Sequence, residues 1–191
     1  MKLFRFFRIL SLALTLSFAG QIFAQSSSST STVYMTVTGQ TQGQIKGEVT
    51  QKGHEGQHKL LAYSHEIVTP TDPASGLPTG KRQHQPFRIV KLLNQGSPGL
   101  FDAMVSNENL TSVVIDVWNP GTAGGADVKL MTYKLTNARI ISLRPWMPNR
   151  SDTSAQSYPP AEEIAFAYQK IEVTFVPTGA TASDDWQSPA N

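Results

Sequence analysis

Apolar and polar residues alternate in run after run of this chain, and that alternation restricts it to a β architecture. In Val33-Tyr34-Met35-Thr36-Val37-Thr38, valine and methionine take every second place. Val113, Ile115 and Val117 do the same between Thr111 and Trp118, as do Ile164, Phe166 and Tyr168, and then Ile171, Val173 and Phe175. A period of two puts one face of a strand in a core and the other toward solvent. Weaker strand signals run from Gly43 to Gln51, with Ile45 and Val49 on one face, and from Leu60 to Val68. Phe87–Leu92, Val128–Leu135 and Ala138–Leu143 complete the set, the last two as separate strands. Asn119-Pro120-Gly121 and Gly124-Gly125 mark the turn of a hairpin between residues 111–118 and 128–135.

One segment predicts a helix, over about residues 97–107. Ser97 suits the N-cap, Pro98 the first helical position, and Asp102 the positive end of the dipole. Leu100, Phe101, Met104 and Val105 would form its apolar face. Eight or nine short strands and a single helix predict a mainly β fold, a closed or nearly closed antiparallel barrel or sandwich with one flanking helix.

The ends of the chain read differently. Lys2, Arg5 and Arg8 precede an apolar run from Ile9 to Ala19, and Ile22-Phe23-Ala24 ends in a small residue. This is a secretory signal pattern over residues 1–24, with cleavage before Gln25. The apolar run is short for a membrane span, so no stable insertion is expected after cleavage. Residues 25–32 are a Ser/Thr-rich linker, residues 33–176 a single β-domain, and residues 177–191 a polar tail. On that tail, Trp186 either docks a partner or tucks onto the barrel. The leader holds three of the 16 basic residues and none of the 14 acidic ones, so the exported remainder carries a net charge of −1. Nothing in that balance resembles the basic footprint of a nucleic-acid-binding surface. The absence of cysteine excludes disulfides, thiol catalysis and thiolate metal sites.

His54-Glu55-Gly56-Gln57-His58 fits the spacing of a zinc-hydrolase motif, which needs both imidazoles on one face of a helix. Gly53 and Gly56 each disfavour a helix here by ~1 kcal/mol, and the pattern sits between two strand-like runs. A tight turn is therefore the expectation, and catalytic zinc at His54 and His58 the alternative. No nucleophile elbow or phosphate loop is present, and neither a cofactor nor a metal is expected.

Residues 70–87, Pro-Thr-Asp-Pro-Ala-Ser-Gly-Leu-Pro-Thr-Gly-Lys-Arg-Gln-His-Gln-Pro-Phe, form a long polar loop that its prolines and glycines keep out of helices and central strands. Loops of this length in compact domains are usually functional or disordered. This loop also carries a resemblance. Pro70-Thr71-Asp72, then Thr79, Gly80, Arg82, His84, Pro86 and Phe87, and then Lys91 resemble the Hcp (haemolysin-coregulated protein) family. Ile45-Lys46-Gly47 and Ser97-Pro98 with Leu100 and Ala103 fit the same pattern. So do Leu135-Thr136-Asn137-Ala138, the run from Glu163 to Ile171, and Asp185-Trp186.

The resemblance implies a non-enzymatic β-barrel protein that forms homohexameric rings, which stack into the inner tube of type VI secretion systems. Spike protein, contractile sheath and effector cargo are the implied partners. Residues 70–86 are the implied ring-to-ring contact. Tube subunits of that family leave the cell through the apparatus itself, whereas this leader implies the general secretory route to a periplasmic or extracellular location. A free-standing secreted ring, or a monomeric exported binding domain, are the corresponding alternatives.

Overall fold

A computed structural model describes residues 30–121, 125–154 and 157–186. The expected leader, most of the linker and Gly124 of the expected turn lie outside the described residues.

Six strands close a barrel. They are β1 (Thr32–Gly39), β3 (His58–Ser64), β6 (Phe87–Leu92), β7 (Leu110–Asn119), β8 (Val128–Trp146) and β9 (Ala161–Ala167). Around the barrel the order runs β8-β7-β1-β3-β6-β9 and back to β8, with every neighbour antiparallel. Closure leaves these six strands without a free edge. Inward positions supply the core: Met35, Val37, Phe87, Ile89, Val113, Ile115, Leu135, Ile140, Ile164 and Phe166 are buried together. These are the residues that the period-two pattern assigns to one face of each strand.

β8 is one strand of 19 residues, not the expected pair. The polar break at Thr136-Asn137 is a twist within an extended chain, where Asn137 adopts φ 50°. Asparagine tolerates that left-handed conformation better than most residues. The twist lets β8 change partners along one edge. Met131–Thr136 pair with β10 (Lys170–Phe175), and Arg139–Trp146 pair with β9.

The expected strand over Gly43–Gln51 shrinks to β2 (Gly43–Ile45). Ile45 is buried and Val49 only half-buried. Beyond β2 the chain turns, with positive φ at Gly53 and Gly56. Gly47 there has no room for a side chain, because an added Cβ would sit 2.3 Å from the Gln57 carbonyl oxygen.

The helix α1 spans Ser97–Val105. Gly96 holds the N-cap, Ser97 is already helical, and Asp102 falls beyond the first turn. Asn107 at φ 54° follows the helix. Its buried residues are Leu100 and Ala103, with Met104 packed alongside. Phe101 and Val105, expected on the apolar face, are 57% and 62% exposed. The helix lies on the barrel along a narrow stripe rather than a broad face.

The stretch after Pro177 is more than a polar tail. Ala180–Asp185 form β11, which pairs along its whole length with β10 as the outermost strand of the sheet. No described helix is long and apolar enough to cross a membrane.

Candidate functional site

Residues 66–85 leave the barrel between β3 and β6 and return as a folded arm. Its base is a short ladder between β4 (Ile67–Val68) and β5 (Gln83–His84), supported by the Gln85 amide donating to the Glu66 carbonyl at 2.9 Å. Further out, Thr71 bridges Pro78, and the Thr79 amide donates to the Pro70 carbonyl at 2.8 Å. Asp72 organises the tip. Its amide donates to the Leu77 carbonyl at 2.8 Å, and its carbonyl accepts from the Gly76 amide at 2.8 Å. Asp72 Oδ1 accepts from the amides of Ala74 and Ser75 and from the Ser75 hydroxyl, at 2.9, 2.7 and 3.0 Å. The Ser75 amide and hydroxyl, with Ala74, hold this carboxyl below its ordinary pKa. Gly76 supplies the left-handed residue, at φ 69°, that the turn requires.

The arm is therefore a folded element whose polar backbone is satisfied from within. Its outer part touches little of its own chain: Thr71, Thr79 and Gly80 are exposed, Pro70 and Asp72 half-buried, and Leu77 is 65% exposed.

The sequence-predicted residues divide into three groups. Pro70, Thr71, Asp72, Thr79 and Gly80 shape the outer arm. Arg82 and His84 face inward, and both bind Asp184 of β11. Arg82 forms a two-pronged ion pair with the Asp184 carboxylate, and His84 Nε2 lies 2.6 Å from Asp184 Oδ2. That double contact, led by Arg82, lowers the Asp184 pKa to about 2. Phe87 is in the barrel core with no exposed surface, stacked between Tyr63 and His65 at centroid distances of 5.9 and 5.3 Å. Pro86 is half-buried between these groups.

Sequence reasoning missed the arm's anchor. Tyr168 Oη lies 2.6 Å from His65 Nε2 and 2.7 Å from His84 Nδ1. Burial pushes the Tyr168 pKa well above its ordinary value, and the Asp184 charge adds to this. Trp186 packs its ring 5.0 Å from that of His84, so it tucks against the arm base while remaining half exposed. His84 and Asp184 are 100 positions apart, and no local pattern links them.

The zinc-like motif has no helix. Residues 51–56 are turns, and His58 opens β3. The His54 ring stacks on Tyr34 at 4.1 Å, and His54 Nδ1 lies 2.8 Å from Gln57 Oε1. His58 is fully buried, with Nε2 3.0 Å from the Ile45 carbonyl oxygen. Among the described residues, no cluster of three or more His, Asp or Glu side chains is placed to hold a metal ion.

A family model described as "Type VI secretion system effector, Hcp" matches residues 34–175. The chain is 37% identical to the "Major exported protein" of Pseudomonas aeruginosa, over 82% of this chain and 95% of that one. Among solved structures, an Hcp protein superposes with a TM-score of 0.76 at 28% identity, covering 84% of this chain and all of the other. The secreted protein Hcp3 of Pseudomonas aeruginosa superposes with a TM-score of 0.67 at 29% identity, covering 83% of this chain and all of that one.

Proposed function

This chain belongs to the Hcp family of type VI secretion proteins, and we propose that within it the chain is a non-enzymatic, ring-forming subunit. Six copies close a ring, and rings stack through the outer arm, residues 70–80. The protein works through surfaces, and effector cargo, spike and sheath are its partners. Its N-terminal leader directs it out of the cytoplasm by the general secretory route.

The observation that supports this reading is the arm itself. Eleven residues are held in one shape by their own hydrogen bonds, yet their outer face meets little else among the described residues. A preformed loop loses little entropy on docking, and its prolines reduce that cost further. A segment so ordered without local packing suits a contact with a second copy.

The test is light scattering and negative-stain microscopy of residues 25–191, beside a variant in which Pro70–Gly80 is replaced by a short Gly-Ser linker. The expected result is hexameric rings from both and stacks from the parent alone. A monomeric parent at high concentration would overturn the ring reading, and a variant that stacks normally would overturn the role of the arm.

A further inference from the structure

Four side chains at the base of the arm share a directed series of hydrogen bonds. The Asp184 carboxylate only accepts, so a neutral His84 carries its proton on Nε2, which lies 2.6 Å from Asp184 Oδ2. His84 Nδ1 is then an acceptor, and the Tyr168 hydroxyl donates to it across 2.7 Å. The Tyr168 oxygen still has free lone pairs, and His65 Nε2–H donates into one across 2.6 Å. One carboxylate thereby fixes the direction of every bond, from His65 through Tyr168 and His84 to Asp184.

We propose that these four residues form a latch between the arm and β11 that holds with one added proton and opens with two. A first proton on His84 costs no hydrogen bond. The imidazolium donates to both Asp184 and Tyr168, and the Tyr168 hydroxyl turns to donate to His65. His65 then accepts on Nε2 and carries its own proton on Nδ1. A second proton has no such arrangement. Both imidazoles would donate to the Tyr168 oxygen, whose own proton would lose its acceptor, since His65 and His84 are its partners among the described residues. Two cations would also lie with ring centres 5.8 Å apart, beside the guanidinium of Arg82. The same conflict arises whichever histidine is charged first.

The surrounding charges do not remove it. Asp184 is the single carboxylate in the series and already binds Arg82. Glu66 and Arg88 flank the cluster from the arm and β6, and Lys170 and Asp185 face each other where β10 meets β11. Burial, with the neighbouring His84, lowers the His65 pKa below its ordinary 6.5. Opening therefore belongs to acid conditions. What opens is the seam between the ladder of β4 with β5 and the C-terminal strand.

The chain has four histidines, so a spectrum of the protein labelled with ¹⁵N-histidine is simple to assign. At neutral pH, His65 and His84 should both show the Nε2–H tautomer. As pH falls, the first proton should either charge His84 and move neutral His65 to Nδ1–H, or charge His65 and leave His84 on Nε2–H, and any other first state would overturn the relay. A second protonation should coincide with loss of the nuclear Overhauser contact between the His84 and Trp186 rings, whose centres lie 5.0 Å apart across that seam. Two charged histidines with that ring contact intact would overturn the proposal. In a Tyr168→Phe variant, which keeps the ring, the His65 tautomer shift should vanish, and its persistence would overturn the relay. Neither readout depends on ring formation.

Discussion

Lys91 Nζ sits 2.7 Å from Glu162 Oε1, and both side chains are out of contact with solvent. Lys91 takes an inward position of β6, in step with Phe87 and Ile89, where the strand period calls for an apolar residue. Its ammonium is satisfied by Glu162, by Asn94 Oδ1 and the Leu92 carbonyl at 3.0 Å each, and by the Ser97 hydroxyl at 3.2 Å. Ser97 donates in turn to Glu162 Oε1 at 2.8 Å. The start of α1 is thereby fastened to β6 and β9. Ser97 serves this network rather than the helix cap expected of it.

Breaking that pair by removing one partner leaves the other charged and buried. Lys91→Met should cost about 3–5 kcal/mol, and Glu162→Gln a similar amount. The double replacement Lys91→Met with Glu162→Leu should recover much of the loss, because no charge is then buried. Urea denaturation midpoints of the three variants check this. A single variant as stable as the parent would show that the interior admits water at this point.

Gly96 is the point where α1 begins and His58 lies beneath it. An added Cβ would stand 2.3 Å from His58 Cε1 and 2.7 Å from the Lys46 carbonyl oxygen. The helix start would have to lift away from β3. Gly96→Ala should destabilise by about 1–3 kcal/mol through overpacking, read as a lower melting temperature with an unchanged far-ultraviolet spectrum. An unshifted melting temperature would mean that the contact relaxes freely.

At Asn137 the left-handed twist of β8 separates strain from packing. Asn137→Ala should cost about 1–2 kcal/mol, because alanine lacks the short polar side chain that lets asparagine tolerate that φ, and it also removes the bond from Asn137 Nδ2 to Gln169 Oε1 at 2.8 Å. Asn137→Gly removes the bond but relieves the strain, so it should be the milder change by chemical denaturation. Equal losses in both would assign the whole effect to the hydrogen bond.

These residues also show what a sequence can and cannot disclose. Strands with one face in the core declare themselves: Val113, Ile115 and Val117 alternate because water is excluded from one side of β7. β11 does not, since Ala180–Asp185 has no buried residue and exists only because β10 offers it an edge. The break expected inside β8 misread a conformational demand at one asparagine as the end of an element. Phe101 and Val105 misled because helical spacing shows that apolar residues share a face, not which face meets the barrel. The arm was legible as a segment from its prolines and glycines. Its anchor at Asp184 and Tyr168 was not, because those contacts span about half the chain.

His58 gives the fold a second dependence on pH, separate from the arm. Its Nε2 donates to the Ile45 carbonyl, and no partner meets Nδ1 among the described residues. Burial lowers its pKa below the ordinary 6.5, the nearby Lys91 adds to this, and the Ile45 hydrogen bond only partly opposes it. The unfolded chain thus binds a proton here more readily than the folded one. The stability that comes from a neutral His58 is complete above about pH 6.5 and is lost as pH falls toward the folded-state value. Unfolding free energy should decline below that pH by up to about 1.4 kcal/mol per unit for this single group. His65, lowered in the same direction, contributes in the same window. A His58→Gln variant should show a shallower slope from pH 6.5 downward, whatever its absolute stability. A slope identical to the parent's would mean that His58 takes up protons equally readily in the folded and the unfolded chain.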